Sequence, residues 1–190
     1  MKRILILLLL SIYAKITLAQ KELSFDEHNK YIYYQVVDMP GLTKDTLLSR
    51  GLLFLKSTYP KTKVAATANQ ITDKGKFLVY GGASILKHEN GEITYLLTIE
   101  CKDQKYRYWI TDFVFTPYQR DRYGNFVPEQ GINIPLESAS SKLDKKEADL
   151  YVQEAGMFCK EVGAQLKLYI TEARASKKPE ITKKVVTDNW

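Results

Sequence analysis

The chain is poor in the residues on which most enzyme chemistry depends. Its 190 residues include only two histidines and two cysteines. His28 and His88 each lack a second ligand at metal spacing, and Cys101 and Cys159 fall in separate elements, so no zinc pattern forms. Both histidines read as solvated turn residues. No P-loop, nucleophile elbow or dinucleotide fingerprint occurs, and Gly81-Gly82 is too short to cradle a phosphate. No catalytic residue, cofactor or metal is expected on these grounds.

A charge excess is also missing from most of the chain. The formal net charge is +6, but Lys2, Arg3 and Lys15 supply three of those charges within the first 20 residues. Residues 171–190 hold a further excess of two, which leaves residues 20–170 with 20 basic and 19 acidic side chains. A body so close to neutral has no electrostatic footprint for a phosphate backbone. Nucleic acid is therefore not an expected partner.

The first 20 residues have the layout of a secretory leader: a positive start, an apolar run over 4–14, and Thr17-Leu18-Ala19 before the cleavage point. This eleven-residue run, which includes Ser11, is too short for a membrane span, which needs about 20. The expectation is a signal peptide over 1–19, removed on export. The mature protein would then be periplasmic or secreted, with no transmembrane segment. No cysteine follows the cleavage point, so lipid attachment there is not supported. Residues 171–190, charged and interrupted by Pro179, read as a mobile tail.

What remains suits one domain, over 31–170, with a lead-in over 20–30. Residues 31–38, YIYYQVVD, read as a strand. After Met39-Pro-Gly-Leu42, Thr43 caps a helix with apolar residues at helical spacing to Tyr59, and Pro60 stops it. Gly51 within that helix suggests close packing. Strands are expected over 64–71, 76–86, 93–102 and 105–116. Asp73-Lys-Gly75 reads as one turn, and Glu89-Asn-Gly91 as a hairpin turn. Gly81-Gly82 suggests a bulge. A long loop over 117–142 precedes a final helix, for which Asp144 and Glu147 resemble a capping box. Ala155, Cys159 and Gly163 would let that helix approach a sheet closely. The resulting order is β-α-β-β-β-β-α, an α+β fold with an antiparallel sheet and both helices on one face.

Residues 101–115, CKDQKYRYWITDFVF, alternate rings with charges. A two-residue turn at Asp103-Gln104 puts Cys101 opposite Tyr106, Glu100 opposite Arg107 and Thr98 opposite Trp109. By alternation, Leu97, Ile99, Cys101, Tyr106, Tyr108 and Ile110 face the core. Arg107, Trp109, Phe113 and Phe115 face away, and Arg107 pairs with Glu100. With its tyrosines turned inward, this hairpin is no stacking platform for bases.

The Met39-Pro-Gly-Leu-Thr-Lys-Asp45 turn into a helix and the run Lys102-Asp-Gln-Lys-Tyr-Arg-Tyr-Trp-Ile-Thr-Asp-Phe113 carry a family likeness. Over roughly 31–170, the chain resembles the secreted bacterial family known as domain of unknown function 4468, described as TBP-like in fold. The departure is at Asp103-Gln104, where the family pattern has Asp-Gly, and it bears on the turn type. The resemblance implies the curved-sheet fold and supplies no catalytic residues. Likeness to a DNA-binding shape does not bring DNA binding with it.

Candidate site residues follow from parity and crowding. Asp112 is the one polar residue whose parity points it inward, as a buried polar site. Tyr118, Arg120 and Tyr123 open the long loop, where binding residues are often found. With Arg107, Trp109, Phe113 and Phe115 they form a candidate ligand or partner surface. Three exposed rings call for a cover: the loop over 117–136, a second copy in a homodimer, or an envelope partner. Export would permit a disulfide between Cys101 and Cys159; free cysteine is equally a common small core residue. Two function classes follow. One is a non-catalytic binding or scaffold module of the cell envelope, its ligand or protein partner unknown. The other is an enzyme with a carboxylate and tyrosine site near Asp112 and the 117–136 loop.

Overall fold

The computed structural model describes residues 22–81 and 88–172. The expected leader, Gly82 and the expected tail from residue 173 onward lie outside the described residues, while Thr171, assigned to that tail, is helical. Strands β1 (Ser24–Phe25) and β2 (Tyr31–Asp38) lead into helix α1 (Lys44–Thr58). Then come β3 (Ala65–Ala66), β4 (Gln70–Gly81), β5 (His88–Lys102), β6 (Lys105–Arg120), β7 (Phe126–Pro128) and β8 (Ile134–Pro135). A short 3-10 helix (Leu136–Ser141) precedes the long helix α2 (Lys145–Thr171). The antiparallel sheet runs β1-β2-β6-β5-β4-β3, with β7 and β8 added to the far part of β6. The domain thus begins before Tyr31, because β1 pairs with β2 and buries Leu23. The α+β class and the antiparallel sheet agree with the sequence reading. Among the described residues, no helix is long and apolar enough to cross a membrane.

Both helices start where their caps dictate. The Thr43 hydroxyl accepts from the Thr46 N–H at 3.3 Å, and the Asp144 carboxylate accepts from the Lys146 N–H at 3.1 Å. The capping box at Asp144 is only half formed. Glu147 instead accepts from the Tyr151 hydroxyl at 2.6 Å and the Asn90 amide at 2.9 Å, tying the helix start to β5. Both helices bury one stripe against the sheet: Leu47, Phe54 and Leu55 on α1; Tyr151, Ala155, Cys159, Val162, Leu166 and Ile170 on α2. Gly163 admits the Tyr108 ring, since a Cβ there would lie 1.9 Å from its hydroxyl. Gly51 packs on Ile71 and Ile99. Cys101 and Cys159 are both buried as free thiols. Burial pushes the Cys101 thiol up to about 11.

Three turn and strand expectations need correction. Asp73-Lys-Gly75 is no turn: β4 runs straight through it, paired with β5 from Gln70 to Gly81. Gly75 is there for space, because the Tyr95 ring lies over it and a Cβ would meet the hydroxyl at 2.3 Å. The expected strand over 64–71 shrinks to the two-residue β3 and the start of β4. Glu89-Asn-Gly91 is likewise inside a strand, β5, and residues 82–87 lie outside the described residues. A register shift at Val79/Tyr80 is the bulge expected near Gly81.

The hairpin at 101–106 has the expected register, from Cys101 opposite Tyr106 to Leu97 opposite Ile110. Only Gln104 of the turn pair takes positive φ, at 62°. Beyond Ile110 the alternation breaks. Leu96 pairs with Thr111 but Thr94 pairs with Val114, so Asp112 and Phe113 together oppose Tyr95. Asp112 has φ 56°, a left-handed backbone that marks a β-bulge. The extra residue reverses the faces after it. Phe113 and Phe115 are therefore core residues, not surface rings, and the Phe115 ring lies tilted 4.5 Å from that of Tyr151. Asp112 points outward, with 41 % of its side chain exposed and an ion pair to Lys30. The buried polar site expected there does not exist.

The bulge makes a measurable claim. Phe113→Ala should lower the unfolding free energy by about 3–5 kcal/mol in urea titration. Val114→Ala, half-buried on the opposite face, should cost far less. An equal or reversed order would mean that the alternation is unbroken at Asp112.

Candidate functional site

The face of the sheet away from the helices is built from alternating residues of four strands: Tyr34 and Val36 on β2, Arg107, Trp109, Thr111 and Val114 on β6, Thr94, Leu96 and Thr98 on β5, and Thr72, Lys74 and Lys76 on β4. Tyr34 and Val36 are exposed, at 45 % and 52 %. Trp109 is half-buried, with Tyr34 opposite it on one side, Thr98 on the other and the Arg107 guanidinium 5.4 Å above its ring. Arg107 donates through Nε to Glu100 at 2.8 Å, as parity requires.

Residues 117–136 do not fold back over Trp109. Tyr118, Gln119 and Arg120 extend β6 and pair with β7, while β8 pairs beside Val114 and Phe115. The intervening turn is held by Asp121, whose carboxylate accepts from the N–H groups of Tyr123 and Asn125. Chain that looked like a loop thus satisfies its backbone groups as sheet. Tyr123 is largely exposed at the turn, and Arg120 lies 4.9 Å over the Phe126 ring. The Tyr118 hydroxyl donates to Glu92 at 2.8 Å, and Lys76 reaches the same carboxylate oxygen at 2.6 Å. Glu92 is only 8 % exposed, so the two donors stabilise a nearly buried charge. Burial and this bond push the Tyr118 phenol up to about 12.

A broad concavity lies at the β4 end of this face. It measures about 1220 Å³. Its floor is Leu96 and Val114 with Thr72 and Thr94, and its wall is the segment between α1 and β3, from Tyr59 to Lys63. Asp112 borders it on the β6 side. Lys61, Lys63, Lys74 and Lys76 all line it. Lys76 is paired with Glu92, whereas Lys61, Lys63 and Lys74 are exposed and form no ion pair among the described residues. None of the sequence-derived candidates except Asp112 borders this cavity. Among the described residues no group of histidine, cysteine and acidic side chains could hold a metal ion. His88 stacks on Phe126 at 5.2 Å, and His28 sits exposed in the Asp26 turn.

The most deeply buried acid among the described residues is Asp73, on the helix side of β4 and 1 % exposed. One oxygen accepts from the Thr62 hydroxyl at 3.0 Å; the other has no hydrogen-bond partner. The Tyr95 hydroxyl beside it is also unpartnered, and burial drives its phenol far above the ordinary range. Burial raises the Asp73 carboxyl above its ordinary 3.8, against the opposing bonds from Thr62 and the Lys74 N–H. Asp73 thus ties the wall segment to the sheet through Thr62. The folded state binds the proton more tightly than the unfolded one, so stability falls as pH rises from 3.8 through the raised value. Asp73→Asn removes that cost. Its melting temperature should exceed the wild type's at pH 7, with the gap narrowing towards pH 4. A constant gap, or a loss at pH 7, would show that the buried charge costs nothing.

Residues 33–116 match the profile of the family described as "Domain of unknown function (DUF4468) with TBP-like fold". No curated protein matches the sequence. Two solved structures share the fold. A TBP-like protein from Parabacteroides distasonis superposes with a TM-score of 0.61 at 17% identity, covering 77% of this chain and 96% of its own. A DUF4468 family protein from Bacteroides ovatus gives 0.60 at 9% identity, covering 79% of this chain and 91% of its own. The matched segment spans β2, α1 and the strands that build the cavity floor, up to Thr116. Over residues 33–116 the chain is thus similar to the DUF4468 family, and it shares the TBP-like fold of those two structures.

Proposed function

We propose that this protein is an exported, non-catalytic binding module of the bacterial cell envelope, and that it holds its ligand against the sheet face away from the helices. The observation that carries this reading is the cavity of about 1220 Å³ on that face. It exceeds the roughly 300–1,000 Å³ typical of small-molecule sites, and it combines an apolar floor with a few polar groups, as such sites do. The export part rests on the leader pattern of residues 1–19. The competing enzyme reading loses its main support. Asp112 borders the cavity but is ion-paired with Lys30, and Asp73 is not among the residues that line it.

The test is a thermal-shift panel of envelope compound classes, namely glycans, acyl-chain acids and acidic peptides, on the wild type and on Leu96→Arg. That variant plants a charge on the cavity floor. A ligand at ten times its Kd should stabilise the wild type by about 1.4 kcal/mol and leave the variant unmoved. Equal stabilisation of both proteins, or consumption of any compound, would overturn the reading. A second copy as occupant would instead appear as a melting temperature that rises with protein concentration in the wild type alone.

A further inference from the structure

The cavity is asymmetric in its chemistry, and the asymmetry specifies a ligand. Its cations stand along one rim. Lys61 and Lys63 alternate on the wall segment, so that both reach the cavity, and Lys74 projects from the neighbouring β4. Its apolar lining is Leu96 on β5 and Val114 on β6 along the floor, with Tyr59, Pro60 and Ala65 beside the lysines on the wall. The acid on the far side, Asp112, is neutralised by Lys30, and Glu92 by Lys76. Three ammonium groups therefore face the cavity without an acid to balance them among the described residues. A neutral ligand would leave that charge unused. A small inorganic anion would leave Leu96 and Val114 in water. A ligand that satisfies both sides has an anionic head at one end and an apolar body at the other.

We infer that the cavity binds a long-chain carboxylate, with the acid group among Lys61, Lys63 and Lys74 and the acyl chain along Leu96 and Val114. This deepens the binding-module reading and rests on it. The rim and the floor contribute separately. Ammonium groups on an exposed rim act through screened Coulomb attraction, so their share weakens with salt. Burial of the chain on the floor does not. The floor of the concavity offers only Leu96 and Val114, one patch for a chain rather than alternating pockets for the side chains of a peptide, which favours the acyl chain over an acidic peptide.

The probe is cis-parinaric acid, whose fluorescence rises when it leaves water, compared with its uncharged methyl ester. The proteins are the wild type, the triple variant Lys61→Gln/Lys63→Gln/Lys74→Gln, and Leu96→Arg, each checked for an unchanged circular dichroism spectrum. The wild type should bind the acid about tenfold tighter than the ester, the effect of one to two screened ion pairs. The preference should shrink in high salt. The triple variant should bind acid and ester equally, with the ester's affinity unchanged. Leu96→Arg should weaken both. Equal binding of acid and ester by the wild type, or a preference that survives in the triple variant, overturns the carboxylate assignment. In that case ester binding that still depends on Leu96 leaves the sheet-face reading standing. Binding indifferent to Leu96→Arg removes the sheet-face reading itself. An absence of binding by either probe overturns the acyl ligand, and displacement by an acidic peptide would replace it.

Discussion

One backbone angle governs which side chains this protein shows to its surroundings. Asp112 sits at φ 56° in the middle of the longest strand, and the strand gains one residue relative to its neighbour. Everything before it alternates in one phase and everything after it in the other. Without that shift Phe113 and Phe115 would stand on the open face and Val114 would be buried. With it, two phenyl rings join the core beneath α2, and the open face receives Val114 next to Leu96. Aspartate is among the few residues other than glycine that adopt this backbone readily, because its short side chain costs little there. Its carboxylate also finds Lys30 across the sheet, so the outward turn is stabilised by charge.

The second constraint is space for aromatic rings on the helix side. Tyr95 lies over Gly75, Phe115 against Gly91, and Tyr108 against Gly163. In each pair a side chain on the glycine would meet the ring well inside contact distance. At Gly91 the carbonyl of Thr116 adds a backbone clash at 2.5 Å, which no rotamer change relieves. The glycines in β4, β5 and α2 are thus answers to packing. Two of them fall in stretches that pattern alone reads as turns, since Asp-Lys-Gly and Glu-Asn-Gly carry ordinary turn composition.

This explains where the sequence was legible. The hairpin at Asp103-Gln104 was readable to the residue, because its two arms alternate cleanly and a tight turn sets the register. Thr43 and Asp144 announced the helix starts, and the small-residue row on α2 announced its approach to the sheet. Alternation carries no warning of a bulge, so the faces of Phe113, Phe115 and Asp112 were read in the wrong phase. The cavity was hidden for a related reason. Lys74 and Lys76 share a face with Thr72 only if residues 73–75 are strand. Once that stretch is taken as a turn, the row disappears. Asp73, the most deeply buried acid among the described residues, is lost in the same misreading. Lys61 and Lys63 lie on irregular chain, whose position no periodicity reports.

The lysines of β4 admit two physical explanations, and the wall separates them. From Asp73 onward β4 has no strand partner on its outer side among the described residues, and lysine on an exposed edge discourages pairing with another chain. That role accounts for Lys74 and Lys76 without any ligand. It does not account for Lys61 and Lys63, which are outside the sheet and protect no edge. The Thr62 hydroxyl between them is bonded to the buried Asp73, so the segment is pinned in the orientation that turns both ammonium groups to the cavity. A wall held by a costly buried carboxylate, with its cations aimed at an apolar floor, is poorly explained by solubility, since exposed lysine achieves that anywhere on the surface. The convergence of Lys61, Lys63 and Lys74 therefore supports the proposed recognition of negative charge, with the edge strand supplying one of the three.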